Sequence, residues 1–209
     1  MFATAQGNVR RNSLMDFVNV QSNGKIAMKL DEGDKLINVR ICHEDNDIML
    51  AARSGKCIRF PVTDVRVFVG RNSTGVRGIK LGKDDEVISM SVLNHSDATS
   101  EEREEFFRLK RMEAEGQELD FSNLSQEFYE RMKANEQFIL SVTTTGYGKR
   151  SSSYEYRVTG RGGQGIANME MSARNKEVAS SFPIEDNNQI MMVTDGGKLI
   201  RMPVADIRV

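Results

Sequence analysis

The chain repeats itself, and a repeat limits what it can fold into. Gly7, Gly55, Gly146 and Gly197 are each followed four residues later by an arginine: Arg11, Arg59, Arg150 and Arg201. Nine residues after each glycine stands an acid: Asp16, Asp64, Glu155 and Asp206. Apolar runs precede the glycines, as in Ile48-Met49-Leu50-Ala51 and Ile190-Met191-Met192-Val193. The second and fourth units share a proline, Pro61 and Pro203, and end alike in Asp64-Val65-Arg66-Val67 and Asp206-Ile207-Arg208-Val209.

The units read as β. Runs such as Lys35-Leu36-Ile37-Asn38-Val39-Arg40-Ile41 and Glu86-Val87-Ile88-Ser89-Met90-Ser91-Val92 alternate, and glycine turns at Gly24, Gly33, Gly55, Gly70, Gly75 and Gly160 punctuate the strand-like runs. A unit of about 50 residues with about four short strands is the size of a propeller blade. One blade cannot bury both faces of its sheet, so blades must stack. The expected fold is all-β, a propeller-like array of four-stranded blades.

The repeat glycines lie 48, 91 and 51 residues apart, so the middle interval carries an insertion. From Ser96 to Gln137 the composition turns to Glu, Arg, Lys and Leu. Thr99-Ser100-Glu101-Glu102 predicts a capping box that opens a helix through about Glu115, with Phe106, Phe107, Leu109 and Met112 as its apolar positions. Gly116 ends it, and Ser125 caps a second helix carrying Phe128, Tyr129 and Met132. The expected layout is blade-like repeats over about 1–47, 48–137 and 138–189, with 190–209 opening a further one and a helical hairpin, 96–137, inside the second. A closed ring normally needs more blades, so the chain is expected to be a fragment of the array.

Several function classes are excluded or weakened. No apolar run approaches the roughly 20 residues of a membrane-spanning helix, and the start, MFATAQGNVRR, lacks the order of an export signal. Cys42 and Cys57 suggest free thiols in a reducing cytoplasm. Gly160-Arg161-Gly162-Gly163-Gln164-Gly165 satisfies G-x-G-x-x-G after a strand-like Tyr154–Val158, but Ala167-Asn168-Met169-Glu170-Met171 reads on as strand rather than helix. A dinucleotide site needs a βαβ unit, and the frame recurs at Gly70-Arg71 and Gly75-Val76, so it is a repeat turn. There is no G-x-x-x-x-G-K-[ST] loop, His43 and His95 lack partners at metal spacing, and no tyrosine has a base beside it. No catalytic site is expected in this chain.

What recurs instead is basic. Beside the repeat turns stand Arg10 and Arg11, Lys56 and Arg59, Lys149 and Arg150, Lys198 and Arg201. A second set accompanies the later turns: Lys25, Lys29, Arg71, Arg77, Lys80 and Arg161. In a ring of blades such positions make a stripe along the perimeter, suited to a bent phosphate backbone. The alternative is that each arginine pairs with the acid five residues on. The overall net charge of −1 argues against nucleic acid, but 96–137 carries 12 acids against 6 bases. The remainder has 23 bases and 18 acids, a net of +5, so a basic array carries an acidic hairpin.

Phe2-Ala3-Thr4-Ala5-Gln6-Gly7, Gly24-Lys25-Ile26-Ala27-Met28-Lys29-Leu30, Gly75-Val76-Arg77-Gly78-Ile79-Lys80-Leu81 and Gly146-Tyr147-Gly148-Lys149-Arg150 closely resemble the C-terminal domain family of bacterial DNA gyrase A. The resemblance runs in order along nearly the whole chain, outside 96–137. It implies a β-pinwheel that wraps duplex DNA around a basic rim without cutting it, so that a type II topoisomerase core can introduce negative supercoils. It also implies the rest of gyrase A, together with gyrase B, as partners in an A2B2 complex in the bacterial cytoplasm, with ATP and Mg used outside this domain and no cofactor within it. The family's Gln-Arg-Arg-Gly-Gly-Lys-Gly box lies in its first blade. Thr159–Gly165 is similar at Arg161, Gly162, Gly163 and Gly165 but differs at Thr159, Gly160 and Gln164, and falls in a later blade, so it is not identified as that box. Weaker alternatives are the homologous domain of topoisomerase IV and a propeller-type protein-interaction platform that ignores DNA.

Overall fold

The computed structural model describes residues 1–173 and 175–209. Its strands are β1 (Phe2–Thr4), β2 (Asn8–Arg10), β3 (Leu36–Val39), β4 (Asn46–Ala52), β5 (Lys56–Pro61), β6 (Val76–Arg77) and β7 (Val87–Asn94). Helices α1 (Ser100–Ala114) and α2 (Gln126–Asn135) come next. They are followed by β8 (Phe138–Thr143), β9 (Gly148–Ser152), β10 (Ile166–Ala167), β11 (Val178–Ile184), β12 (Gln189–Val193) and β13 (Leu199–Pro203).

Each repeat glycine closes an antiparallel hairpin. The amide of Gly7, Gly55, Gly146 or Gly197 donates to the carbonyl three residues back at 2.9–3.1 Å, and all four glycines have φ between +77° and +86°. The hairpins are β1–β2, β4–β5, β8–β9 and β12–β13. The first three gain a further strand beside their first member, giving sheets ordered β3-β1-β2-β6, β7-β4-β5-β10 and β11-β8-β9. The fourth pair, β12–β13, forms a sheet of two.

The first two sheets are not contiguous in sequence. β6 follows the second hairpin but pairs with β2 of the first sheet, and β10 follows the third hairpin but pairs with β5 of the second. A positive-φ glycine makes each crossing possible. A Cβ on Gly75 would lie 2.3 Å from the Val9 carbonyl oxygen, and one on Gly165 would lie 2.2 Å from that of Cys57. The crossing ends quickly: the amides of Asn168 and Met169 both donate to the Gly55 carbonyl. Hence Ala167–Met171, expected to run on as strand, stops at Ala167. The strand expected over Tyr154–Val158 is likewise absent, because Ser152 caps a 3-10 turn at Ser153–Glu155. The repeated acids Asp16, Asp64, Glu155 and Asp206 all sit in such single turns.

Both faces of the inner hairpins are buried. Ile48 and Leu50 of β4 pack toward the first sheet with Ala3, Val9, Ile58 and Phe60. Their neighbours Met49 and Ala51 pack the other way with Cys57, Ile139 and Tyr156. The period of two is intact, yet the run reads as continuously apolar because neither face meets water. Leu140, Ile184, Ile190 and Val204 fill the space between the third and fourth sheets.

Three backbone bonds recur at successive seams. Phe68, Gly78 and Val87 donate their amides to the carbonyls of Arg11, Gly7 and Ala5 between the first and second units. Thr159, Asn168 and Val178 donate to Arg59, Gly55 and Arg53 between the second and third. Strand β7 lies against both β3 and β11, so these last strands gather at the centre. β6 and β10 close the opposite, outer edges of their sheets.

Candidate nucleic-acid interface

The recurring arginines were expected on a phosphate-binding rim, and for four of them the structure corrects this. Arg59 is 2% exposed. Its Nε donates to Asp47 at 2.8 Å, Nη1 to the carbonyls of Ser153 (2.7 Å) and Tyr156 (3.4 Å), and Nη2 to that of Asn94 (2.7 Å). Asp47 is itself buried and also meets His95 Nδ1 at 2.7 Å. Burial pulls the Arg59 pKa down from its ordinary value, with the Asp47 charge opposing it. Every nitrogen of this guanidinium has a partner, so none is left to grip a phosphate.

The same device recurs. Arg11 donates through Nε to the Val65 carbonyl and reaches Glu44 at 3.4 Å. Arg150, buried against the Phe138 ring at 4.2 Å, pairs with Asp186 and reaches the Ile207 carbonyl at 3.5 Å. Each of these three arginines thus crosses from its own sheet to the turn that follows the next hairpin. The acid five residues on is not the partner in any of them. Arg10 is also buried, donating to Asn12 (2.9 Å), the Ser73 carbonyl (2.6 Å) and the Gly70 carbonyl beside Phe68. Desolvation lowers its pKa as well. These residues are inter-sheet latches and loop ties.

Three more cations are partly engaged. Lys25 Nζ donates to the Asp16 and Asn19 carbonyls at 2.6 and 3.2 Å. Arg71 Nη1 donates to that of Ile26 at 2.5 Å, and Lys149 lies 5.9 Å from the Tyr156 ring centre. Lys29, Lys56, Arg77, Lys80, Arg161, Lys198 and Arg201 are exposed. Arg161 keeps two ties, to the carbonyls of Asp64 (2.9 Å) and Arg77 (3.0 Å), and Arg201 meets Gln189 at 2.5 Å.

Four of these exposed cations share a location. Arg77 is in β6, Lys80 just follows it, Arg161 precedes β10, and Lys56 of β5 pairs with Ala167 of β10. All four stand on or beside the edge strands β6 and β10 of the first two sheets. The G-x-G-x-x-G segment is part of this edge: the Gly162 amide donates to the Gly78 carbonyl at 2.6 Å, and among the described residues no α-helix follows.

A further set escaped the sequence reading. Arg66, Arg157 and Arg208 stand eleven residues after Gly55, Gly146 and Gly197, and all three are exposed. The visible signal was their fixed place two residues beyond the repeated acid. Among the described residues no helix is long and apolar enough to cross a membrane.

Small antiparallel sheets stacked through latched turns, each of the first two completed by a strand from the next unit, define a propeller-like module of the β-pinwheel type. A family model described as DNA gyrase C-terminal domain, beta-propeller, matches residues 1–43, 46–94, 137–181 and 188–209. The chain belongs to that family.

Over its full length it is 49% identical to the DNA gyrase A subunit of Granulibacter bethesdensis and 48% identical to that of Rickettsia bellii. Over 99% of its length it is 32% identical to that of Escherichia coli K12. It spans 25%, 24% and 19% of those relatives, a quarter of their length or less. Two solved structures share the fold. The C-terminal domain of DNA topoisomerase IV has a TM-score of 0.73 and 19% identity, covering 99% of this chain and 52% of that one. The DNA gyrase A C-terminal domain has a TM-score of 0.68 and 20% identity, covering 98% and 55%.

Proposed function

We propose that this chain is a non-catalytic module that binds duplex DNA along the outer edges of its sheets and wraps it, as part of a type II topoisomerase of the gyrase kind. The observation that carries this reading is the set Lys56, Arg77, Lys80 and Arg161, exposed on or beside the strands that close the first two sheets of a gyrase-family domain. Arg66, Arg157, Lys198 and Arg208 extend it. Lys29 and Arg201 stand with them as exposed cations.

Such a row meets a phosphate backbone without reading base edges, so affinity is expected to be salt-sensitive and largely indifferent to sequence. Wrapping then delivers a crossing DNA segment to a core formed by the rest of gyrase A with gyrase B, in an A2B2 complex in the bacterial cytoplasm. In that complex ATP and Mg are used outside this module; among the described residues no group of three His, Cys, Asp or Glu side chains could hold a metal ion.

The test is fluorescence anisotropy with duplexes of unrelated sequence. Replacing Lys56, Arg77 and Lys80 together by Glu should weaken binding to all of them alike. Unchanged affinity sinks the edge assignment. A linking-number shift on relaxing closed circular DNA in the protein's presence tests wrapping, and its sign reports the handedness.

A further inference from the structure

The α1–α2 hairpin lies outside the family pattern, which matches 46–94 and resumes at 137. It occupies the connection between β7 and β8, where β11 and β12 are joined by four residues, 185–188. The hairpin is a folded unit. Thr99 and Glu102 form a reciprocal capping box, Ser125 caps α2, and Phe106, Leu109, Leu124, Tyr129 and Met132 form a buried cluster.

That cluster is completed by a residue from outside the hairpin. Tyr154, in the 3-10 turn after β9, packs edge-on to Phe106 with ring centres 5.4 Å apart, and its hydroxyl donates to the Met132 carbonyl at 2.9 Å. Met15, Thr63 and Ala205 hold the same repeat position, eight residues after the hairpin glycine, and all are exposed. Tyr154 is 5% exposed where Met15 is 75%. Of the four equivalent positions, only the one under the helical hairpin is aromatic, and only there is it covered.

Polar ties follow the same turn. Arg103 of α1 donates to the Tyr154 carbonyl at 3.3 Å, beside the Ser153 and Tyr156 carbonyls that accept from Arg59. Lys110 of α1 pairs with Glu136 at 2.6 Å and lies 5.4 Å from the Phe138 ring centre, whose ring also carries the Arg150 guanidinium. The Asn94 amide donates to Gln137 Oε1 at 2.7 Å. The hairpin therefore meets the turn held by Arg59 and the ring covered by Arg150, the latches on either side of the third sheet.

The latch it touches first is also the atypical one. Glu44 and Asp186, eleven residues before their glycines, pair with the Arg11 and Arg150 of the preceding units. The corresponding residue of the third unit is Asn135, the last of α2, and Arg59 turns to Asp47 of its own sheet instead.

We propose that the hairpin is an inter-sheet brace that holds the third sheet at a set angle to the second by clamping the Ser153–Glu155 turn against the Arg59 latch. The test is amide hydrogen exchange on the full-length protein without DNA, so it stands whether or not the chain binds DNA. Two variants are compared with the parent: Arg103→Gln with Lys110→Gln, and 97–136 replaced by a four-residue linker.

The brace predicts exchange about tenfold faster, or more, at Thr159, Asn168 and Val178 in the linker variant, with Phe68, Gly78 and Val87 unchanged. The double variant should show a smaller acceleration at the same three amides. Unchanged exchange at the second seam in both variants overturns the proposal, and so does equal acceleration at both seams.

Discussion

Arg59 and Arg201 share a repeat position and differ in surroundings. Removing the Arg59 guanidinium leaves the Asp47 carboxylate buried without its charge partner and strips the Ser153, Tyr156 and Asn94 carbonyls of a donor. Arg59→Gln should therefore cost about 3–5 kcal/mol in urea denaturation, the range for breaking a buried ion pair from one side. Arg201→Gln, at an exposed site, should fall within about 0.5 kcal/mol. The two cysteines diverge in a similar way. Burial in the second seam pushes the Cys57 thiol from its ordinary 9.0 up to about 12, while Cys42 is partly exposed. Iodoacetamide at mildly alkaline pH should modify Cys42 in the folded protein and Cys57 only after unfolding. The raised Cys57 value gives a sign as well. Its thiol ionises first in the unfolded chain, so its contribution to stability is intact below about pH 9 and falls as the pH climbs toward 12.

At the scale of the element, the crossing strands are where the chain has least freedom. Gly75 and Gly165 combine a positive φ with a carbonyl less than 2.5 Å from where a Cβ would stand. Gly75→Ala or Gly165→Ala should destabilise by about 2 kcal/mol or more and loosen β6 or β10 first, visible as faster exchange along that strand. Thr99→Ala should cost about 1 kcal/mol by opening the capping box, with loss of helical signal ahead of strand signal on heating. The elements differed in how far the sequence disclosed them. Thr99, Gly116 and Ser125 marked the helix ends because caps are local hydrogen bonds between residues a few positions apart. The repeat turns were equally legible, since a glycine that can take a positive φ is a local turn signal. The membership of β6 and β10 was not, because two-residue strands carry no period and their partners lie more than 60 residues away. The Tyr154 turn was misread as strand for the same reason: a β-rich run capped by Ser152 becomes a turn only where its sheet ends.

For the whole molecule, charge is segregated rather than balanced, with a net +5 repeat body carrying a net −6 hairpin. Each edge cation that contacts a phosphate adds about −0.9 to the slope of log affinity against log salt, so losing three should flatten it by roughly 2.7. Binding titrations from low to high salt check this, and an unaltered slope would place the contacts elsewhere. The fourth sheet bears on the same scale. Met191 and Val193 repeat Met49 and Ala51 in register, but Met191 is 65% exposed where Met49 is 2%. The face that seals the second seam is thus open on β12.

From the recurrence alone came the β class, the stacking of small sheets, the inserted helices and the basic character of the array. These follow from local turn chemistry and from the inability of one small sheet to cover its own faces. Only the tertiary structure decided which cations meet water. An arginine four residues past a turn lies at a known point along a strand, but whether it grips a neighbour's carbonyls or a solvent-borne phosphate depends on what the next unit places opposite. Arg11, Arg59 and Arg150 face such a neighbour and are consumed as latches. Lys56, Arg77 and Lys80, on or beside the edge strands β6 and β10, face no such neighbour and remain exposed.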